Sequence, residues 1–116
     1  MDVITIYKGN PYNATITITD SAGNAYDLTG KTVFFTVKKI RDFNADDTDA
    51  VITAKITSHT APLAGITTLV LTAAQTLVAV DSYKWDIRVY DDDPLVQMNT
   101  VAGYCNIKDI VTKRTT

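Results

Sequence analysis

The sequence predicts an all-β protein, an antiparallel β-sandwich of about seven to eight short strands with at most one short helical turn. Three observations carry this. Apolar and polar residues alternate with period two in segment after segment. Clusters of Gly, Asn, Asp and Pro interrupt the alternation at roughly 8–12-residue intervals. Only one stretch, 71–80, is compatible with a helix.

In chain order, the short β-rich run with Val3 and the Ile4/Ile6 pair opens the fold. "NATITITD" then sets Ala14, Ile16 and Ile18 on one face and Thr15, Thr17 and Thr19 on the other, as a half-buried strand does. "DSAGNA" and "DLTGKT" supply turn residues. "KTVFFTVKKI" places Val33, Phe35 and Val37 inward, with Phe34, Thr36 and Lys38 opposite. The acidic stretch 41–50 reads as a long loop or hairpin end. "VITAKIT" and "GITTLVLT" are strands separated by the turn "SHTAPLAG". In "LTAAQTLVAV", Thr72 and Gln75 have capping-box spacing, but the stretch is too short for more than a turn or two of helix. "SYKWDIRVY" puts Tyr83, Trp85, Ile87 and Val89 on one face, and Lys84, Asp86, Arg88 and Tyr90 on the other. "DDDP" breaks the chain. Two further segments, separated near Gly103, finish it.

At 116 residues the chain has the length of one domain, residues 1–116. Its 46% hydrophobic and 21% charged residues suit a folded globular core and exclude intrinsic disorder. With 11 basic and 13 acidic residues the net charge is −2, so the total charge carries no nucleic-acid footprint. The apolar runs are too short for a membrane helix. "MDVITIYKGN" has neither a basic nor an apolar signal region, which predicts no signal peptide. One cysteine, Cys105, excludes an intramolecular disulfide and fits synthesis in a reducing cytoplasm.

The candidate chemistry is thin. Asp91, Asp92 and Asp93 precede Pro94, and three consecutive carboxylates at a turn are expected to be hydrated rather than paired across a pocket. Asp42, Asn44, Asp46, Asp47 and Asp49 resemble the start of a calcium loop. Counted from Asp42, however, the sixth position is Asp47 where glycine is needed, and the twelfth is Thr53 where a bidentate Glu is needed. His59 is the only histidine and reads as a surface loop residue, with no nucleophile motif to serve. Cys105 reads as a small buried residue. One His and one Cys make no conventional zinc site, and phosphate-cradling Gly motifs are absent. No cofactor is expected. Tyr90, out of phase with Trp85, is the tyrosine expected outside.

The order of features is nevertheless specific. "DLTGKTVFFTVKK", a polar insertion, "GITTLVLTAAQTLVAVDSYKWDIRVYD" and "VAGYCNIKDIVTKR" follow one another across residues 27–114. This resembles the small immunoglobulin-like modules of tailed bacteriophages, such as the N-terminal domain of baseplate upper proteins and related tail or neck components. The matching positions are Gly65, Leu71, Thr72 and Thr76; Tyr83, Trp85, Ile87 and Val89; Gly103; and Val111, Thr112, Lys113 and Arg114. The insertion at 42–49 is long for that pattern, and a whole protein of this size is expected to be an adaptor, plug or decoration subunit.

The resemblance implies an immunoglobulin-like antiparallel β-sandwich without catalysis. It also implies partners among other virion structural proteins, homo-oligomerisation within a symmetric particle, and no nucleic acid or membrane. The expected core is Ile16, Ile18, Val33, Phe35, Val37, Leu71, Tyr83, Trp85, Ile87 and Val89. Expected partner contacts are Val3, Ile4, Tyr7, Tyr90, Ile107, Ile110, Lys113 and Arg114, because the first and last strands are expected at sheet edges. The competing readings are a glycan-binding module using exposed Tyr and Asp loops, with or without calcium, and a small hydrolase.

Overall fold

A computed structural model describes residues 2–20, 22–42, 50–90 and 98–110. Seven strands occur among them: β1 (Asp2–Tyr7), β2 (Tyr12–Thr17), β3 (Thr32–Lys39), β4 (Ile52–Ile56), β5 (Ile66–Leu71), β6 (Asp81–Tyr90) and β7 (Met98–Lys108). Helical structure is limited to single 3-10 turns at Ile40–Asp42 and Pro62–Ala64. The strands form two sheets, one of five in the order β1-β7-β6-β3-β4 and one of two, β2-β5. The domain is a β-sandwich.

Alternation dictates the interior. On β3 the buried side chains are Val33, Phe35 and Val37, and on β6 they are Tyr83, Trp85, Ile87 and Val89. These two strands are neighbours in the sheet, with Phe35 opposite Ile87 and Val37 opposite Trp85. The rings of Phe35 and Trp85 lie 6.0 Å apart, and the Trp85 indole N–H donates to the Tyr104 carbonyl at 3.1 Å. Burying a large apolar side chain at such a position contributes about 1.5–3 kcal/mol. Leu69 and Leu71 of β5, together with Ile18 just past β2, close the core from the second sheet. Ile16, expected there, is only partly buried. Ile6, Leu28, Ile52, Cys105 and Ile107 complete the interior.

Three features depart from the sequence reading. β1 pairs with β7 in parallel, with Ile4 opposite Cys105, whereas all other ladders are antiparallel. Adjacent parallel strands need a long connection, and here the rest of the domain supplies it. Next, the segments expected on either side of Gly103 form one continuous strand, in which Gly103 stands opposite Trp85. The irregularity in that ladder falls elsewhere, between Ile87 and Arg88. Finally, β7 is not an edge, because β1 covers its free side.

The stretch with capping-box spacing forms the box without the helix. The Thr72 N–H donates to Gln75 Oε1 at 2.9 Å, and the Gln75 N–H donates to Thr72 Oγ1 at 3.3 Å. One turn later the chain is extended again. The buried Thr76 hydroxyl donates to the Asn10 carbonyl at 2.8 Å, which ties this turn to the one after β1.

Gly65 is the glycine whose identity the packing demands. Its φ is +71°, and a Cβ there would run into the Ile18 carbonyl and lie 2.9 Å from that of Tyr26. Its own carbonyl accepts the Ile18 N–H at 2.8 Å. The backbones of two segments meet at this point with no room for a side chain.

Candidate interaction surface

The expected site residues divide by depth. Val3 is 60% exposed, and Tyr7 and Tyr90 are also open to solvent, while Ile4 and Ile110 are half-buried. Ile107 was expected to touch a partner, but it is 1% exposed: it pairs with Ile6 under β1 and points into the core. Lys113, Arg114, the acidic residues 43–49 and Asp91 to Asp93 lie outside the described residues. The strands flanking the acidic stretch, β3 and β4, do pair as an antiparallel hairpin, with Val37 opposite Ile52.

Among the described strands, β1 is one end of the five-stranded sheet. Its sequence, "DVITIY", carries no proline or lysine within the strand and ends a row of five strands. The opposite edge, β4, bears Lys55 and is covered in part, since Gln75 Nε2 donates to the Thr53 carbonyl at 3.1 Å. Lysine and covering segments are the usual protection of a sheet edge; β1 has no lysine within the strand, and Lys8 follows it directly, its N–H donating to the Lys108 carbonyl at 2.8 Å.

His59 is not the free loop residue the sequence suggests. It is half-buried and bridges two segments, with Nε2 2.7 Å from the Lys31 carbonyl and Nδ1 2.9 Å from the Thr67 hydroxyl. A carbonyl only accepts, so Nε2 carries the proton and donates. In neutral imidazole Nδ1 then accepts from Thr67. Thr67 is fully buried, and this bond satisfies a hydroxyl that burial would otherwise strand. With both ring nitrogens engaged, the arrangement holds β5 to the strand-β3 entry and offers no base to a substrate.

Tyr83 was expected in the core for its face. Its hydroxyl also donates to the Ala79 carbonyl, four residues upstream, at 2.6 Å. A tyrosine near the start of a strand bonding back to the preceding corner is the tyrosine corner of immunoglobulin-like sandwiches. The sequence signal was its place two residues before the tryptophan.

The interior titratable groups are inert. Burial pushes the Cys105 thiol up to about 11, away from the thiolate that nucleophilic chemistry requires. Burial likewise raises the phenols of Tyr12, with a further push from Cys105, and of Tyr83, with further pushes from Asp81 and Cys105. The Asp27 carboxyl is held below its ordinary value by hydrogen bonds from the Thr29 side chain and backbone. A depression of about 420 Å³ between the end of β3 and the start of β6 is lined by Lys39, Ile40, Arg41, Asp81 and Ser82. Its hydroxyl is committed, as Ser82 Oγ donates to Asn106 Oδ1 at 2.9 Å. Among the described residues no three His, Cys or Asp side chains converge as a metal site, and no helix is long and apolar enough to cross a membrane.

What remains is a two-sheet immunoglobulin-like sandwich whose larger sheet ends, among the described strands, at β1. The N-terminal domain of phage TP901-1 ORF48 has a similar fold, with a TM-score of 0.60 over 92% of this chain and 85% of that one, at 12% sequence identity. The phage resemblance carried by the sequence is thus met at the level of fold. No protein-family model matches the chain, and no curated protein sequence is similar to it.

Proposed function

We propose that this chain is a non-enzymatic bacteriophage virion structural protein, a tail-, baseplate- or neck-associated adaptor or decoration subunit that works through protein–protein contacts. The observation that carries the proposal is the likeness in fold to a phage domain over nearly the whole chain. The β1 edge supplies the means. A row of unpaired amides and carbonyls extends a neighbour's sheet without breaking internal hydrogen bonds. Many copies in a symmetric particle then gain avidity from individually weak contacts.

The test is mass spectrometry of purified particles of the phage that carries this sequence, made with the wild-type chain or with Val3→Lys. Val3 is exposed on the edge strand, so the lysine leaves the fold intact while placing a charge where a neighbouring strand must approach. The wild-type chain is expected in the particles and the variant at reduced copy number. Absence of the wild-type chain from intact particles would end this reading, and equal incorporation of the variant would remove β1 from the contact.

A further inference from the structure

The outer face of the five-stranded sheet has a charge that the composition conceals. Strand register puts Lys38, Lys55, Lys84, Arg88 and Lys108 on this face, with Asp86 as its one carboxylate among the described residues. Elsewhere the described side chains balance, Lys8, Lys31, Lys39 and Arg41 against Asp20, Asp27, Asp81 and Asp109. The excess of cations among the described residues therefore lies on this face. The chain's net charge of −2 is a poor guide to it, because exposed charges more than about 8 Å apart are largely screened from one another at physiological salt.

Aromatic rings are interleaved with these cations. One row across the sheet runs Tyr104, Lys84, Lys38, and the Lys84 ammonium lies over the Tyr104 ring, 5.7 Å from its centroid. A second row runs Arg88, Phe34, Lys55, where Phe34 meets Tyr90 edge to face at 6.1 Å. Tyr104 and Tyr90 are both open to solvent. The rows stand four residues apart along β6, roughly 13 Å, and neighbouring strands lie about 4.8 Å apart. The result is a flat platform rather than a pocket.

Folding does not call for this arrangement, since Lys38 directly opposite Lys84 is a pairing of like charges that destabilises a strand pair. The side-chain types also separate two classes of partner. Lysine supplies four of the five cations; it is depleted at protein interfaces, whereas lysine and arginine alike neutralise phosphates. Exposed aromatic side chains on a sheet face are the platform on which RNA-recognition domains stack unpaired bases.

We propose that this sheet face binds single-stranded nucleic acid, with its cations along the phosphates and Tyr104 and Tyr90 against the bases. The inference departs from the expectation of no nucleic-acid partner, which rested on total charge and on family resemblance. It adds a partner to the structural role, does not depend on that role and does not use the β1 edge.

The test is fluorescence anisotropy of labelled 20-nucleotide oligo-dT and oligo-U titrated with the full chain from about 0.05 M to about 0.2 M salt. Binding is expected at low salt. The logarithm of affinity should fall against the logarithm of salt with a slope of about −2 to −3, as for three to four neutralised phosphates. Lys84→Glu with Arg88→Glu is expected to weaken binding at least about tenfold and to flatten that slope. Tyr104→Ala should weaken it at least about fivefold, the loss of one stacked base. Thr15→Glu, on the outward side of β2 in the other sheet, should bind like wild type. Near-UV circular dichroism verifies that each variant keeps its fold. Tighter binding of one oligonucleotide than of the other would identify DNA or RNA as the ligand. No binding of either at low salt overturns the proposal, as does binding indifferent to salt or to the double substitution. Equal binding of poly-L-glutamate, with no effect of Tyr104→Ala, would overturn it in favour of an acidic protein partner. Any of these failures leaves the virion role standing, because particle incorporation tests that role separately.

Discussion

The cleanest alternation in the sequence and the deepest burial in the molecule belong to different strands. β2 alternates without fault, yet its inward residues Tyr12, Ala14 and Ile16 are only partly buried, and its one deeply buried neighbour is Ile18 beyond the strand. β3 alternates badly, with two adjacent phenylalanines, yet Val33, Phe35 and Val37 are all buried, and even its outward Thr36 is largely covered. The difference is position in the fold. β3 lies inside a five-stranded sheet, flanked by β6 and β4, whereas β2 is one of two strands, and the buried side chains of its sheet, Leu69 and Leu71, come from its partner β5. Period-two patterning states which way a side chain points; what packs over that face sets how much water it loses.

The comparison breaks first at its largest expected effect. Trp85→Ala in the five-stranded sheet should cost about 3–5 kcal/mol in chemical denaturation, while Ile16→Ala in the two-stranded sheet should cost about 1 kcal/mol. Equal losses would mean that the second sheet is as well covered as the first. A loss below roughly 1 kcal/mol at Trp85 would place that ring at a surface.

The seam between the chain segments around β2 and β5 is the next test. Gly65→Ala adds a methyl against the Ile18 and Tyr26 backbones at a φ of +71°, and should cost about 3 kcal/mol. The melting temperature reads it directly. A neutral substitution would show that Ile18 can move away from Gly65 freely, and that the two-stranded sheet is loosely attached.

The smallest effect is alkaline. Tyr12 of β2 and Cys105 of β7 meet electrostatically across the interior, so each sheet contributes a group whose deprotonation the core resists. The sign follows from linkage. The unfolded chain releases the thiol proton near 9.0 and the folded chain near 11, so the stabilisation is complete below pH 9 and is lost as pH rises toward 11. Roughly 2 kcal/mol is at stake, and the raised phenols of Tyr12 and Tyr83 extend the loss to higher pH. Denaturation midpoints across that range should fall, and Cys105→Ala should flatten the first part of the fall. An unchanged slope in that variant would assign the loss to other groups.

Much of the fold was legible because strands are local. The inward faces of β3 and β6 follow from the spacing of Val33, Phe35 and Val37 and of Tyr83, Trp85, Ile87 and Val89, and each of these is buried. The capping box of Thr72 and Gln75 was readable for the same reason, since it spans three residues. The surface was less legible. Ile107 looks like any other apolar residue near a chain end until the parallel pairing of β1 buries it. His59 looks like a loop residue until Thr67 and Lys31, 8 and 28 positions away, close around it.

Strand pairing shows the division most sharply. From the sequence alone come the all-β class, the facing of each strand, a net charge of −2 and the scarcity of catalytic groups. Only the tertiary structure decided that Lys38 and Lys84, 46 positions apart, stand side by side, that β7 lies inside its sheet, and that β1 stands at its end. The physical reason is range. Alternation is written by steric and solvation preferences of neighbouring residues, whereas register between strands and the choice of edge depend on which distant segments pair, and no local preference encodes that.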